Sequence, residues 1–196
     1  MNETLRAELL QMKEHDLHVR QELLDAGKLG GFYVPEMEAV HRQNAARLRE
    51  IIAEHGWPHE GIVGEDGAKA AWFIAQHAIG EPHFQRESLQ YLKRHAAEGK
   101  LPAWHAAYLE DRIAIQEGRP QRYGTQWVDD FRDGLVRPFP LEDPARVDEF
   151  RASVGLSPLA PIPPPGPDLP LGVQEQERLN RDAWDAWFIQ VGWRKG

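Results

Sequence analysis

The sequence predicts an all-α protein, and the spacing of its apolar residues is the main reason. Apolar side chains recur every three or four positions through most of the chain, as on the buried face of a helix. Prolines and glycines separate these segments at positions where helices begin and end. No stretch shows the period of two that is typical of a half-buried strand. We therefore expect a compact multi-helix domain, followed by a proline-rich spacer and a C-terminal helix.

The first three helices can be placed in order from the N-terminus. The first is predicted over residues 3–26, where leucines are spaced among charges and Gly27 provides the end. Pro35 is a favoured first helical residue and begins the second helix, which continues to Ala53. Residues 66–79 are almost all alanines and large apolar residues. This composition predicts a central buried helix.

Three further helices are predicted, and an irregular segment separates the last of them from the other two. The fourth and fifth are predicted over residues 82–97 and 102–117, each with a proline at its start and a glycine after its end. Residues 119–142 are irregular and rich in aromatic side chains, and a short helix follows over 143–154. We assign all of these elements to one helical domain, residues 1–157.

The end of the chain divides into a spacer and a terminal helix. Seven of the fifteen prolines fall within residues 158–171, which predicts a semi-rigid extended spacer. Residues 172–196 are predicted to form an amphipathic helix whose apolar stripe consists of Trp184, Trp187, Phe188 and Val191. This stripe either folds back onto the helical domain or docks on a second copy of the chain. The second alternative would give a homodimer through the C-terminal helix.

Composition narrows the classes of function. The chain has no cysteine and only five serines and threonines, which excludes a cysteine nucleophile and disfavours a serine hydrolase. Its net charge of −8 argues against nucleic acid as a partner. No apolar run approaches the ~20 residues of a membrane span, and no signal-peptide pattern begins the chain. A cytoplasmic protein without a membrane partner is expected.

Two ionisable residues fall on apolar helix faces. His77 projects among alanine, phenylalanine and isoleucine side chains, so it is either a satisfied core histidine or part of a pocket wall. Asp111 projects among apolar side chains of the fifth helix, where a carboxylate needs a cation or several N–H donors. The candidate cations are His77, Arg119 and Arg122. A buried acid and base on neighbouring helices favour proton transfer, but they also fit a structural pair.

A loop after the fifth helix supplies further polar groups. Residues 118–127 contain Gln121, Tyr123 and Gln126, whose amide and phenol groups form directional hydrogen bonds. The loop is either a binding lid or a polar plug that closes the end of the helix. The nine histidines show no zinc-binding spacing such as H-E-x-x-H. We therefore expect no cofactor, with a divalent metal at His77, Asp111 and His105 as the alternative.

Four groups of residues form distinctive motifs: Gly56-Trp57-Pro58, Gln76-His77-Ala78, Asp111-Arg112, and the loop Gly118-Arg119-Pro120-Gln121 with Tyr123-Gly124-Thr125-Gln126. Together they resemble a bacterial family that is catalogued as a domain of unknown function. The resemblance covers roughly residues 40–160 and extends more loosely over the first helix. It implies that the family signature includes His77, Asp111, Arg112, Gln121, Tyr123 and Gln126. It implies no activity, and the proline spacer and final helix are additions to it.

These residues favour a small enzyme that uses general acid–base chemistry without a covalent nucleophile. Hydrolysis, elimination and cyclisation of a small polar or peptide-like substrate all fit this chemistry. The predicted catalytic residues are His77, Asp111 and Tyr123, with Asp111 orienting His77. The predicted substrate-binding residues are Trp57, Arg112, Arg119, Gln121 and Gln126. The alternative is a helical binding or interaction module in which the His/Asp pair is structural and the C-terminal helix is the functional surface.

Overall fold

The computed structural model describes residues 1–29 and 32–195, and this part of the chain contains seven α-helices and one pair of short strands. The prediction of an all-α protein is confirmed. The chain divides into two compact units, Met1–His105 and Ala106–Gly196. None of the helices in the described residues is long and apolar enough to cross a membrane.

Four helices and the start of a fifth form the first unit. They are α1 (Glu3–Asp25), α2 (Pro35–His55), α3 (Glu60–His77), α4 (Pro82–Ala97) and the beginning of α5 (Ala103–Gln116). The Asn2 side chain caps α1 by accepting a hydrogen bond from the amide of Leu5 at 3.1 Å. Pro35 and Pro82 occupy the first turns of their helices, where a missing N–H leaves no hydrogen bond unmade. These starts agree with the predicted ones.

Helix α3 begins earlier than predicted. Its first turn starts at Glu60 rather than at residue 66, and the His59 side chain caps it by accepting from the amide of Gly61. Gly64 then breaks the helix with φ +73°, in the left-handed region that favours glycine. The apolar run that predicted the helix is therefore only its second part.

The core of the first unit lies where α1, α2 and α3 meet. Leu9, Leu48 and Ile51 are fully buried on α1 and α2. On α3, Ala70 and Ala71 are also fully buried, and their small side chains let neighbouring backbones approach closely. Polar side chains on the inward faces of these three helices are consequently near one another.

The second unit combines the rest of α5 with a small strand pair and two helices. Strands β1 (Trp127–Asp129) and β2 (Val136–Pro138) are antiparallel, with Val128 opposite Arg137. Sequence analysis placed no strand here, because three residues are too few to reveal a period of two. Helices α6 (Val147–Ser153) and α7 (Leu171–Gln190) complete the unit.

The proline-rich segment is anchored on this strand pair. The Arg137 guanidinium donates hydrogen bonds to the carbonyl oxygens of Pro163 at 3.2 Å and Pro164 at 2.9 Å. The same guanidinium forms an ion pair with Asp133, which also accepts from the amide of Gly166 at 2.7 Å. The segment that was predicted as a spacer is thus held by side chains of its own unit.

The apolar stripe of α7 is partly buried. Trp187 is buried, whereas the other three stripe residues are half-buried. Trp193, beyond the end of the helix, is also buried. Arg194 donates to the carbonyl oxygens of Ile115 at 3.0 Å and Gln116 at 2.8 Å, at the end of α5. These contacts correspond to the alternative in which the helix folds back on its own chain. The helix ends at Gln190, earlier than predicted, and residue 196 lies outside the described residues.

Candidate functional site

His77, the first predicted catalytic residue, ends α3 and contacts a carboxylate from α1. Its Nδ1 lies 3.0 Å from Oδ1 and 3.1 Å from Oδ2 of Asp16. Asp16 is fully buried, whereas 24% of the His77 side chain is exposed. The buried carboxylate can fix the tautomer and orientation of an imidazole that solvent reaches.

A second imidazole approaches the same carboxylate. Nε2 of His41, on α2, lies 3.1 Å from Oδ2 of Asp16. The rings of His41 and His77 meet edge to face, with their centroids 5.0 Å apart. Asp16, His41 and His77, which we call the His–Asp–His cluster, therefore bring together one residue from each of the first three helices.

Two further polar side chains hold the cluster in place. The Tyr33 hydroxyl lies 2.6 Å from Nδ1 of His41, on the opposite side of the ring from Asp16. Asn44, one turn after His41, donates to the carbonyl oxygen of Met12 on α1 at 3.3 Å. These contacts fix the His41 ring and join α2 to the helix that carries Asp16.

Asp16 is ionised despite its burial. Burial raises the pKa of a carboxyl group, but the contacts with His41 and His77 outweigh it and hold the pKa of Asp16 well below its usual range. Burial and the nearby charges of Glu38 and Asp16 raise the pKa of the Tyr33 phenol above its usual value. The cluster therefore combines an anionic carboxylate with two imidazoles, and a neutral phenol lies beside it.

The same cluster has the donor atoms of a metal site. Asp16, His41 and His77 can each offer one ligand atom, and these atoms all lie within 4.8 Å of one another. A carboxylate oxygen and two imidazole nitrogens suit divalent transition metals. Within the described ranges, this group includes neither Asp111 nor His105, the partners of His77 in the site that sequence analysis considered.

Sequence analysis did not single out Asp16 or His41, although each lies within an apolar helix stripe. On α1 the stripe is Leu5, Leu9, Met12, Asp16 and Leu23, with spacings of four, three, four and seven residues. On α2 it is Met37, His41, Asn44, Leu48 and Ile51. A charged residue in such a stripe must find a buried partner, and this signal could have identified both residues.

Asp111 lies in the second unit, where its carboxylate binds the loop that follows α5. Oδ1 accepts hydrogen bonds from the amides of Arg122 at 2.8 Å and Tyr123 at 3.0 Å. Oδ2 accepts from the amide and the hydroxyl of Thr125, both at 2.9 Å. Burial raises the pKa of Asp111, and these four hydrogen bonds oppose that effect. The sequence predicted that this carboxylate needs a cation or several N–H donors, and the structure supplies several donors.

The carboxylate that hydrogen-bonds to His77 is therefore Asp16, in the role that the prediction gave to Asp111. Asp16 and His77 both belong to the first unit, whereas Asp111 belongs to the second. The structure thus brings one predicted catalytic residue, His77, together with partners that the prediction did not include.

The part of the chain that carries the cluster and the Asp111 loop matches a protein family. Residues 3–162 match DUF6624, a family of unknown function. The chain belongs to this family. The match extends over α1, where the resemblance was looser, and it ends before α7. Comparisons with the curated proteins and with the solved structures give no match.

Two glutamines in this DUF6624 chain, which were predicted to bind substrate, hold the loop itself. The Gln121 amide nitrogen donates to the carbonyl oxygens of Gln126 at 2.8 Å and Phe139 at 3.0 Å. Its amide oxygen accepts from the backbone amide of Gln126 at 2.9 Å. The Gln126 side chain donates to the Thr125 hydroxyl at 3.0 Å. These contacts correspond to the alternative of a polar plug.

The remaining predicted site residues of the loop region also lie in the second unit. Arg119 is exposed and pairs with Glu117. Arg112 is half-buried, and desolvation lowers its pKa to about 10, so it remains a cation at neutral pH. Burial and the charge of Glu110 raise the pKa of Tyr123 above its usual value, so its phenol is neutral. None of these groups belongs to the unit that contains His77.

Trp57, a predicted substrate-binding residue, is part of the core of the first unit. Its side chain is 1% exposed and stacks on Tyr91, with ring centroids 6.1 Å apart. In this conformation the side chain packs inside the core.

His105 is a buried histidine with an unusual environment. Its ring stacks on Trp72 at 4.9 Å between centroids and meets Trp104 edge to face at 4.0 Å. In the part of the chain that the structure describes, neither ring nitrogen of His105 has a hydrogen-bond partner. Burial, with a smaller contribution from the charge of Lys69, lowers the pKa of His105 to about 4. The folded protein therefore holds this ring neutral.

We expect acid to destabilise the protein through His105. The pKa is about 6.5 in an unfolded chain, so the unfolded state binds the extra proton first as the pH falls. The free energy of unfolding is therefore unaffected by this group above pH ~6.5 and falls progressively as the pH drops from ~6.5 to ~4. The full decrease is about 3 kcal/mol. Urea unfolding at several pH values should show that His105→Leu removes part of this dependence. Equal pH dependence in the two proteins would contradict the prediction.

Proposed function

We propose that this chain is an enzyme that uses non-covalent acid–base chemistry at the His–Asp–His cluster. Its substrate is a small polar or peptide-like molecule, and its reaction is hydrolysis, elimination or cyclisation. The observation that supports the proposal most is the contact between Nδ1 of His77 and the fully buried carboxylate of Asp16 at 3.0 Å. It joins a solvent-accessible base to a charge that can stabilise its protonated form.

The proton transfer follows from the geometry of the imidazole. Asp16 accepts a hydrogen bond from Nδ1–H of His77, which leaves Nε2 as the basic nitrogen. Nε2 takes a proton from water or from the substrate, and the Asp16 carboxylate stabilises the resulting imidazolium. In the second half of the reaction, the same nitrogen returns the proton to the leaving group.

The inventory of nucleophiles supports a mechanism without a covalent intermediate. The chain has no cysteine and few hydroxyl side chains. The Thr125 hydroxyl donates a hydrogen bond to Asp111, and this contact belongs to the structural loop of the second unit. A mechanism without a covalent intermediate uses activated water or a group of the substrate itself as the nucleophile.

The surroundings of His77 favour a polar substrate. The ring of Phe73 packs against the imidazole with centroids 3.9 Å apart, and Nζ of Lys13 lies 5.8 Å from the centre of that same phenyl ring. An aromatic ring therefore borders the imidazole, and a cation lies over that ring. They suit a small substrate with a carboxylate or amide group beside its reacting atom.

The test is a comparison of matched variants on a panel of substrates. Purified full-length protein is screened against ester, amide, peptide and cyclic amide substrates. On any substrate that the wild type converts, His77→Ala and Asp16→Asn should each lower turnover by about 10²–10⁴-fold, which is the usual contribution of a positioned acid or base. His18→Ala is the matched control because His18 lies on α1 near Asp16 and is 70% exposed.

The readouts separate catalysis from folding. Circular dichroism and thermal unfolding should show that Asp16→Asn, which changes little in size, keeps the helical fold. Wild-type turnover in folded Asp16→Asn and His77→Ala proteins would overturn the proposal. Loss of fold in both variants, without any cluster-dependent activity in the panel, would favour the interaction module, in which the cluster is structural.

A further inference from the structure

The His–Asp–His cluster has the composition of a catalytic metal site. It offers one carboxylate and two imidazoles from three different helices, without any cysteine. Zinc enzymes commonly use two histidines and one carboxylate and keep the next position open, and non-haem iron sites use the same set. We infer that the cluster binds one divalent transition metal ion of the zinc class through Asp16, His41 and His77. The inference rests on the function proposed above, to which it adds a cofactor.

The distances among the donor atoms fit a shared cation. Ligand atoms bound to one zinc ion at tetrahedral angles are about 3.3 Å apart, because each lies about 2.0–2.2 Å from the metal. Oδ2 of Asp16 is 3.1 Å from Nε2 of His41 and 3.1 Å from Nδ1 of His77. Both distances are close to the tetrahedral spacing, and the three ligand atoms all lie within 4.8 Å of one another.

His41 carries the second, independent observation. Its side chain is buried, and in the described residues its Nε2 has no hydrogen-bond partner although Oδ2 of Asp16 is only 3.1 Å away. If Nδ1–H donates to the Tyr33 oxygen, the lone pair of Nε2 faces an anionic oxygen, which is repulsive. If Tyr33 donates instead, Nε2 carries a buried N–H with no acceptor in hydrogen-bond geometry. A cation between Nε2 and Oδ2 removes this repulsion, and it is either a proton, which makes the contact an ion pair, or a bound metal ion.

Tyr33 occupies the position of a group that supports a metal ligand. A metal-bound imidazole usually donates its other N–H to an oxygen, which fixes the tautomer and the ring orientation. The Tyr33 oxygen lies 2.6 Å from Nδ1 of His41, on the far side of the ring from Asp16. With Nδ1–H donating to this oxygen, the lone pair of Nε2 is directed towards the carboxylate.

The exposure of the cluster suggests a catalytic rather than a structural metal. Structural zinc sites are closed by four protein ligands, whereas this cluster has three and is open to solvent at His77. Water can occupy the remaining position, and a bound divalent ion lowers the pKa of that water. With the ion present, His77 acts as a ligand, and the activated water replaces it as the base.

Metal binding can be measured without knowing the substrate. Full-length protein is treated with a chelator, and Zn²⁺ is then titrated by calorimetry and Co²⁺ by visible absorption. We expect one ion per chain, with Co²⁺ bands typical of nitrogen and oxygen ligands. Asp16→Asn and His41→Ala should weaken Zn²⁺ binding more than 100-fold, and Tyr33→Phe should weaken it about 10–100-fold. The exposed control His18→Ala should bind as the wild type does.

Two measurements keep the inference falsifiable if a variant unfolds. Tyr33→Phe retains the core volume, and the imidazole resonances of wild-type His41 and His77 should shift on addition of Zn²⁺. Wild-type binding no tighter than that of folded Asp16→Asn, or shifts confined to other histidines, would overturn the metal site. Cluster-dependent turnover that survives the chelator also counts against the metal and leaves the acid–base proposal standing. Specific zinc binding by the cluster without any turnover would support the metal site and count against the proposed enzyme activity.

Discussion

Asp111→Ala should lower the free energy of unfolding of the second unit by about 3–5 kcal/mol, one of the largest single-residue effects in the chain. The substitution removes the acceptor of three backbone amides and one hydroxyl, which belong to Arg122, Tyr123 and Thr125. Asp111 is fully buried, so water cannot replace the lost carboxylate without opening the loop. The measurement is urea unfolding, followed by tryptophan fluorescence and circular dichroism.

Hydrogen exchange gives this prediction a local readout. The amides of Arg122, Tyr123 and Thr125 should exchange faster in Asp111→Ala, whereas amides of α1 should not change. Asp129→Ala provides the control, because Asp129 is an exposed acid of the same unit and most surface changes cost less than about 0.5 kcal/mol. A loss below about 1 kcal/mol in Asp111→Ala would mean that the loop is held by other contacts.

Trp57→Ala should destabilise the first unit by about 3–5 kcal/mol, the usual cost of removing a large aromatic side chain from a core. Trp57 is 1% exposed and stacks on Tyr91, so its removal leaves a cavity that the surrounding helices cannot fill. Thermal and urea unfolding of the full chain measure the effect. If Trp57 instead lined an open substrate pocket, the substitution would lower the free energy of unfolding by less, because solvent or neighbouring side chains would fill the space.

The conservative variant distinguishes packing from hydrogen bonding. Among the described residues the Trp57 indole N–H has no hydrogen-bond partner, so Trp57→Phe loses volume but no polar contact. Trp57→Phe should therefore lower the free energy of unfolding clearly less than Trp57→Ala does. Leu171→Ala is the control for a large apolar residue on the surface, because Leu171 is 82% exposed. If Trp57→Ala and Leu171→Ala had equal stability, Trp57 would not be a core residue.

Helix positions were predictable because their signals are local. The starts at Pro35 and Pro82 follow from the fixed φ of proline, and each can be identified from adjacent residues alone. The start of α3 was predicted wrongly, since the break at Gly64 separates a polar first turn from the apolar run that indicated the helix. The strand pair β1–β2 was not predicted, because its three-residue strands depend on pairing across the loop.

The candidate site was predictable only in part, for the same reason. His77 was identified by its place on an apolar helix face, but its partner Asp16 is 61 positions away in the sequence. A helix face shows that a buried polar residue needs a partner without showing which residue supplies it. Asp111 differs from His77 in that its hydrogen-bond donors are close in the sequence, only 11 to 14 residues later. Its need for several N–H donors was one of the two predicted alternatives.

The assembly of the cluster from α1, α2 and α3 couples ligand binding to folding. In an unfolded chain, Asp16 and His77 are far apart, so a ligand that needs both side chains binds only the folded first unit. By mass action, such a ligand at 100 times its dissociation constant adds about 2.7 kcal/mol to stability. The resistance of the first unit to unfolding would then depend on how much of that ligand the cell provides.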